Sequence, residues 1–201
     1  MPNGVIGPTA SPGFATAFDG KLGTPLWTAA GPSPNATFGW AISGGGDTVG
    51  DGSISIAIGA PTDGDGFGFV GVLDLRLGIV KKTFHGSGAT SLFGTAVSLR
   101  ADLDGDGRAD LVVGAPSLDV PVAFAGAPAL PPAQGRAASS STRSRRPLTH
   151  LDGTIDFGAL GTALAVLENG PLAGGLALPI AVAAPIEEAN GVVRFLTIPG
   201  R

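Results

Sequence analysis

Asp102, Asp104, Asp106 and Asp110 stand at positions 1, 3, 5 and 9 of one short segment, with Gly107 at position 6. Alternate side chains of a tightly curled loop can converge on one point, and the glycine permits the left-handed turn that brings the chain round. Hard carboxylate oxygens in this number suit Ca2+, which takes six to eight oxygens at about 2.3–2.6 Å. The carbonyl of Arg108, at position 7, is the expected backbone ligand, and Asp110 is the expected bidentate one. The spacing is not that of an EF-hand, which ends its loop on Glu where this chain has Val113 and flanks it with helices. Two carboxylates about 5 Å apart at an effective dielectric near 20 repel by roughly 3 kcal/mol. A cation in the loop would therefore hold the local fold together by linkage.

The loop belongs to a repeat. Phe38-Gly39-Trp40-Ala41-Ile42-Ser43 is echoed 55 positions later by Phe93-Gly94-Thr95-Ala96-Val97-Ser98, and Gly59-Ala60-Pro61 at the same offset by Gly114-Ala115-Pro116. A weaker third copy runs from Leu160-Gly161-Thr162-Ala163-Leu164 to Ala183-Ala184-Pro185. In the first copy Asp47 and Asp51 align with Asp102 and Asp106, but Val49 and Ser55 replace Asp104 and Asp110. Asp47 and Asp51 are therefore expected to form at most a weak second ion site. In the third copy Asn169 takes the first position, and no ion is expected there.

Each copy reads as strands. Short apolar runs at Ile54–Ile58, Leu111–Val113 and Leu178–Val182, bounded by Gly and Pro, fit strands buried on both faces. Pro then ends the pairing, because it has no N–H to give to a ladder. Further strands are expected at Phe69–Leu75, Ile79–Phe84 and Gly191–Ile198, and two more in residues 14–19 and 24–28 around the Gly20-Lys21-Leu22-Gly23 turn. Four strands in a repeat of this length make one propeller blade. The expected fold is all-β, a partial β-propeller of about three four-stranded blades. Residues 1–37 form an N-terminal extension with the last strands of a preceding blade. The first repeat spans 38–92, the second 93–159 and a degenerate third 160–201. The Ala, Pro, Ser and Arg of residues 126–147 read as a flexible insertion. His85 and His150 are expected at matching strand ends, a duplication that favours a structural place over catalysis.

The Phe-Gly opening, the acidic loop and the Gly-Ala-Pro close resemble, in order and spacing, the FG-GAP repeat of integrin α-chain propellers and many bacterial surface proteins. The resemblance implies a propeller with calcium ions in loops at one end, and a role in adhesion or extracellular recognition through a protein or glycan ligand. It also implies a secreted or cell-surface location, although no signal peptide is visible. Propellers of this kind close with more blades than are present here, so the remainder is expected from further sequence or a second copy. Two other readings stand beside it: the accessory propeller of a secreted, phospholipase D-like hydrolase, and a glycan-binding propeller using Trp27 and Trp40.

Composition narrows the classes. Gly (34) and Pro (17) are about a quarter of the 201 residues, which excludes a helical bundle at roughly 1 and 3 kcal/mol per interior residue. The net charge of −4 argues against nucleic-acid backbone as a partner, and four of the basic residues cluster at Arg136, Arg143, Arg145 and Arg146. The longest apolar stretch, Leu176–Ile186, is broken by two prolines and too short to enter a bilayer as a spanning helix. No catalytic constellation is found. Gly66-Phe67-Gly68-Phe69-Val70-Gly71 spells a dinucleotide fingerprint, but a Pro and a turn precede it and a strand follows. Asp63 and Asp65 are expected to shape the turn after Pro61.

Overall fold

The computed structural model describes residues 11–86, 89–99, 102 and 107–116 in full, together with the backbone of strands at 136–140, 147–152, 163–166, 178–184 and 192–198. The described residues are mostly strands in antiparallel sheets, with a single helical turn, α1 (Asp63–Gly66). β1 (Phe14–Phe18) and β2 (Pro25–Ala30) form a hairpin. β3 (Ala41–Gly46), β4 (Ser55–Ala60), β5 (Phe69–Asp74) and β6 (Val80–His85) form a four-stranded meander in that order. β7 (Ala96–Leu99), β8 (Leu111–Ala115), β9 (Arg136–Ser140) and β10 (Pro147–Asp152) form a second one. β11 (Ala163–Val166), β12 (Leu178–Ala184) and β13 (Val192–Ile198) make a three-stranded sheet.

The apolar runs take the middle of the first sheet, as their two-sided hydrophobicity demands. Every residue of β5 is buried, and β4 is buried except for Ile56, whereas β6 is fully buried only at Phe84. Two apolar clusters hold successive sheets together. Ala15 of the hairpin and Ala36 after it join Phe38, Ile58, Ala60, Phe69 and Leu73 of the first repeat. Ala57, Val70, Val72 and Phe84 of the first sheet join Phe93, Leu99, Leu111, Val113 and Ala115 of the second. Each large side chain so buried contributes roughly 1.5–3 kcal/mol.

The repeated motifs meet each other. Gly39 N–H donates to the Gly59 carbonyl at 3.1 Å, and Gly94 N–H to the Gly114 carbonyl at 3.0 Å. The Phe-Gly opening of each unit thus closes on its own Gly-Ala-Pro. The preceding Phe makes a parallel bridge back to the unit before, Phe38 to Gly13 and Phe93 to Gly68. The hairpin turns repeat as well: Asp19 Oδ1 accepts from the N–H of Lys21 and Leu22 at 2.8 and 2.7 Å. Asp74 Oδ1 accepts from Arg76 and Leu77 at 2.9 and 2.8 Å.

Two sequence expectations are corrected by the ladders. Part of the segment 126–147 expected to be a flexible insertion is β9, which lies between β8 and β10. Its Arg-Ala-Ala-Ser-Ser run offers no apolar pattern to read, because its place is set by backbone hydrogen bonds to strands on both sides. The histidines do not match either. Phe69 pairs with His85, and its counterpart Arg136 pairs with Asp152. His150 pairs with Ala138, the position that Gly71 and Thr83 occupy in the first sheet. The two histidines thus stand two positions out of register.

Candidate metal centre

Leu99 pairs with Leu111, so the acidic loop is the connection between β7 and β8. Asp102 Oδ2 accepts from the N–H of Gly107 at 2.7 Å, across five residues, and Gly107 takes φ 80°. That bond and that turn curl the loop as the spacing predicts. Asp102 is half-buried, and Asp110 is only 2% exposed at the entrance to β8. Asp104 and Asp106 lie outside the described residues. Among the described residues no three His, Asp or Glu side chains gather on one point. The donor types of the segment are oxygen throughout, which fits a hard cation and not a thiophilic one.

The first-repeat loop, between β3 and β4, closes in the same way. Asp47 Oδ2 accepts from Gly52 N–H at 2.7 Å, and Gly52 takes φ 78°. Asp47 Oδ1 accepts from Val49 at 3.0 Å and Gly50 at 2.8 Å. Desolvation pushes this carboxyl up, but the N–H groups of Gly52, Val49 and Gly50 together outweigh it and hold the group below the usual range. The two loops also touch. Ala109 N–H donates to the Asp47 carbonyl at 2.9 Å, and a Cβ on Gly50 would lie 3.0 Å from the Arg108 guanidinium. Both loops therefore sit at the same end of adjacent sheets.

A lysine absent from the sequence reasoning completes the first loop. The Nζ of Lys81, on β6, lies 3.4 Å from Asp51 Oδ1 and 3.6 Å from Asp74 Oδ2, with its side chain 10% exposed. It also donates to the Ser53 hydroxyl, to the Ser55 hydroxyl at 3.4 Å and to the Ser53 carbonyl at 3.5 Å. The one available signal was scarcity: Lys21, Lys81 and Lys82 are the only lysines. The Ser53 hydroxyl and N–H, then Lys81, hold Asp51 below the usual carboxylate range. Asp74 is held low chiefly by Leu77 N–H, with Ser53, Arg76 and Lys81 adding to it against desolvation.

A pH dependence follows from these three carboxyls. Each has a folded-state pKa below its unfolded value, so its contribution is complete above the ordinary Asp value of about 3.9 and shrinks as pH falls from there. Urea unfolding should give a flat stability from about pH 7 to 5 and a steady loss below about pH 4. Stability that rises on acidification would contradict the assignment.

Trp27 and Asp63 have structural work. Trp27 Nε1–H donates to the Leu75 carbonyl at 2.8 Å, and its ring lies against Gly78. Trp40 is 65% exposed. Asp63 opens the helical turn α1 after Pro61 and accepts from the Ser33 hydroxyl. The Gly66–Gly71 stretch runs from that turn directly into β5, with no helix after it in the described residues.

Two loops closed by the same Asp–Gly bond thus stand at one end of adjacent sheets. Residues 93–130 match the family model of the FG-GAP repeat. That segment is similar to FG-GAP repeats. The match contains the Phe93-Gly94 opening, the acidic loop and Gly114-Ala115-Pro116. FG-GAP repeats are found in β-propellers, are typically non-catalytic, and commonly occur in extracellular or surface proteins. A search of curated proteins gave no match.

Proposed function

We propose that this chain is a non-enzymatic, calcium-binding β-propeller module for adhesion or extracellular recognition, with its sheets as about three blades. The observation that carries the reading is the position of the FG-GAP loop. It is curled on Asp102 and joined through Ala109 to the loop of the neighbouring sheet. An ion held there by Asp102, Asp104, Asp106, Asp110 and the Arg108 carbonyl would neutralise the crowded carboxylates and pin one blade end against the next. Calcium supplies charge and coordination only, and no bond-making step is involved. Further blades, from adjoining sequence or a second copy, would close the ring and leave its loop face for a protein or glycan ligand.

Calorimetric titration should show calcium uptake by the unaltered chain that is lost in Asp106→Ala. At calcium a hundredfold above its dissociation constant, linkage stabilises the native chain by about 2.7 kcal/mol, and Asp106→Ala should lose that increment. Identical titrations of the two chains would reject the loop as the site.

A further inference from the structure

We propose that the ammonium group of Lys81 is the resident cation of the first-repeat loop, standing where the second repeat takes a divalent ion. The comparison of the two loops rests on the calcium reading of the second, but the occupancy of the first is argued from its own atoms.

At its described ends the second loop closes as the first does. Asp47 and Asp102 close on Gly52 and Gly107 with the same 2.7 Å bond and nearly the same φ. Positions 5, 7 and 9 are therefore Asp51, Ser53 and Ser55 in one loop and Asp106, Arg108 and Asp110 in the other. Lys81 Nζ meets those three positions in the first loop through Asp51 Oδ1, the Ser53 carbonyl and the Ser55 hydroxyl. They are the positions, and at position 7 the same backbone atom, from which the ligands of a divalent ion are expected. The Ser53 hydroxyl and Asp74 Oδ2 complete an all-oxygen shell. An ammonium has three N–H bonds to give, and five oxygens crowd it. An exposed lysine pair on a surface would gather no such shell.

The ladder register supplies the second argument. Leu73 pairs with Val80 and Val72 with Lys82, leaving Lys81 in the bulge of the β5–β6 ladder. In the second sheet Ser140 pairs with Pro147 and Ser139 with Thr149, leaving Leu148 in the corresponding bulge. The two repeats have thus exchanged charges in opposite directions. The first has Val49 and Ser55 with Lys81; the second has Asp104 and Asp110 with Leu148. A monovalent cation fixed to the chain needs fewer carboxylates than a free divalent ion. An ammonium at that point also repels any ion approaching it.

The test isolates the first loop in full-length chains carrying Asp106→Ala, with calcium as the probe. Asp106→Ala/Val49→Asp/Ser55→Asp, which keeps Lys81, should take up calcium at least about a hundredfold more weakly than the same chain with Lys81→Ala added. Equal affinity with and without Lys81 overturns the proposal, as does a folded Lys81→Ala chain that binds no calcium. Should that chain fail to fold, the Nζ proton resonance of Lys81 in Asp106→Ala decides. It should be protected from exchange and unmoved by millimolar calcium, and a calcium-induced shift overturns the proposal. A native chain without calcium uptake would remove the metal reading of the second loop, while Lys81 stands or falls on the first-loop variants alone.

Discussion

Phe93→Ala should lower the unfolding free energy by about 4 kcal/mol, the middle of the range for removing a buried aromatic ring. Phe93 is 1% exposed and packs with Val70, Val72 and Phe84 of the first sheet and Leu99, Leu111 and Val113 of the second. Its ring is shared by two sheets, so neither can collapse into the cavity without leaving its neighbour. Phe67→Ala is the matched control, since that side chain is 41% exposed, and it should change stability by less than about 1 kcal/mol. Urea unfolding at unchanged slope measures both. Two variants with similar midpoints would mean that the motif phenylalanine does not join the sheets.

Gly68→Ala should cost about 3 kcal/mol, from two sources. Gly68 has φ 82°, where an L-residue pays roughly 1–2 kcal/mol. A Cβ there would also run into the backbone N, C and O of Phe93, and overpacking of that kind costs about 1–3 kcal/mol. The obstacle is main chain held in a parallel bridge, so no rotamer change relieves it. Gly20→Ala meets no atom within 4 Å and needs no left-handed φ, so its midpoint should stay near that of the parent. Should Gly68→Ala melt with the parent as well, the close approach of the two repeats is absent in solution.

Much of the architecture was legible because β patterning is local. The runs ending in Gly59-Ala60-Pro61 and Gly114-Ala115-Pro116 announce buried strands, and β4 and β8 lie there. The curl of the acidic loop was legible too, since a carboxylate and a glycine five residues apart specify the Asp102–Gly107 bond almost alone. β9 was illegible, because its small and polar residues carry no period and its partners make it a strand. Asp104 and Asp106 fall outside the described residues, so the full ligand set stands on spacing.

Sequence alone determined the repeat, its offset, the strand-forming runs and the type of donor the second loop carries, all set by neighbours along the chain. Only the tertiary structure decided what faces each loop. Lys81 is distant in sequence from Asp51 and reaches it because β6 returns alongside β5 with a bulge at that residue. A bulge shifts side-chain direction without any mark in composition. The cation opposite a carboxylate is thus a property of ladder register, which no single segment contains.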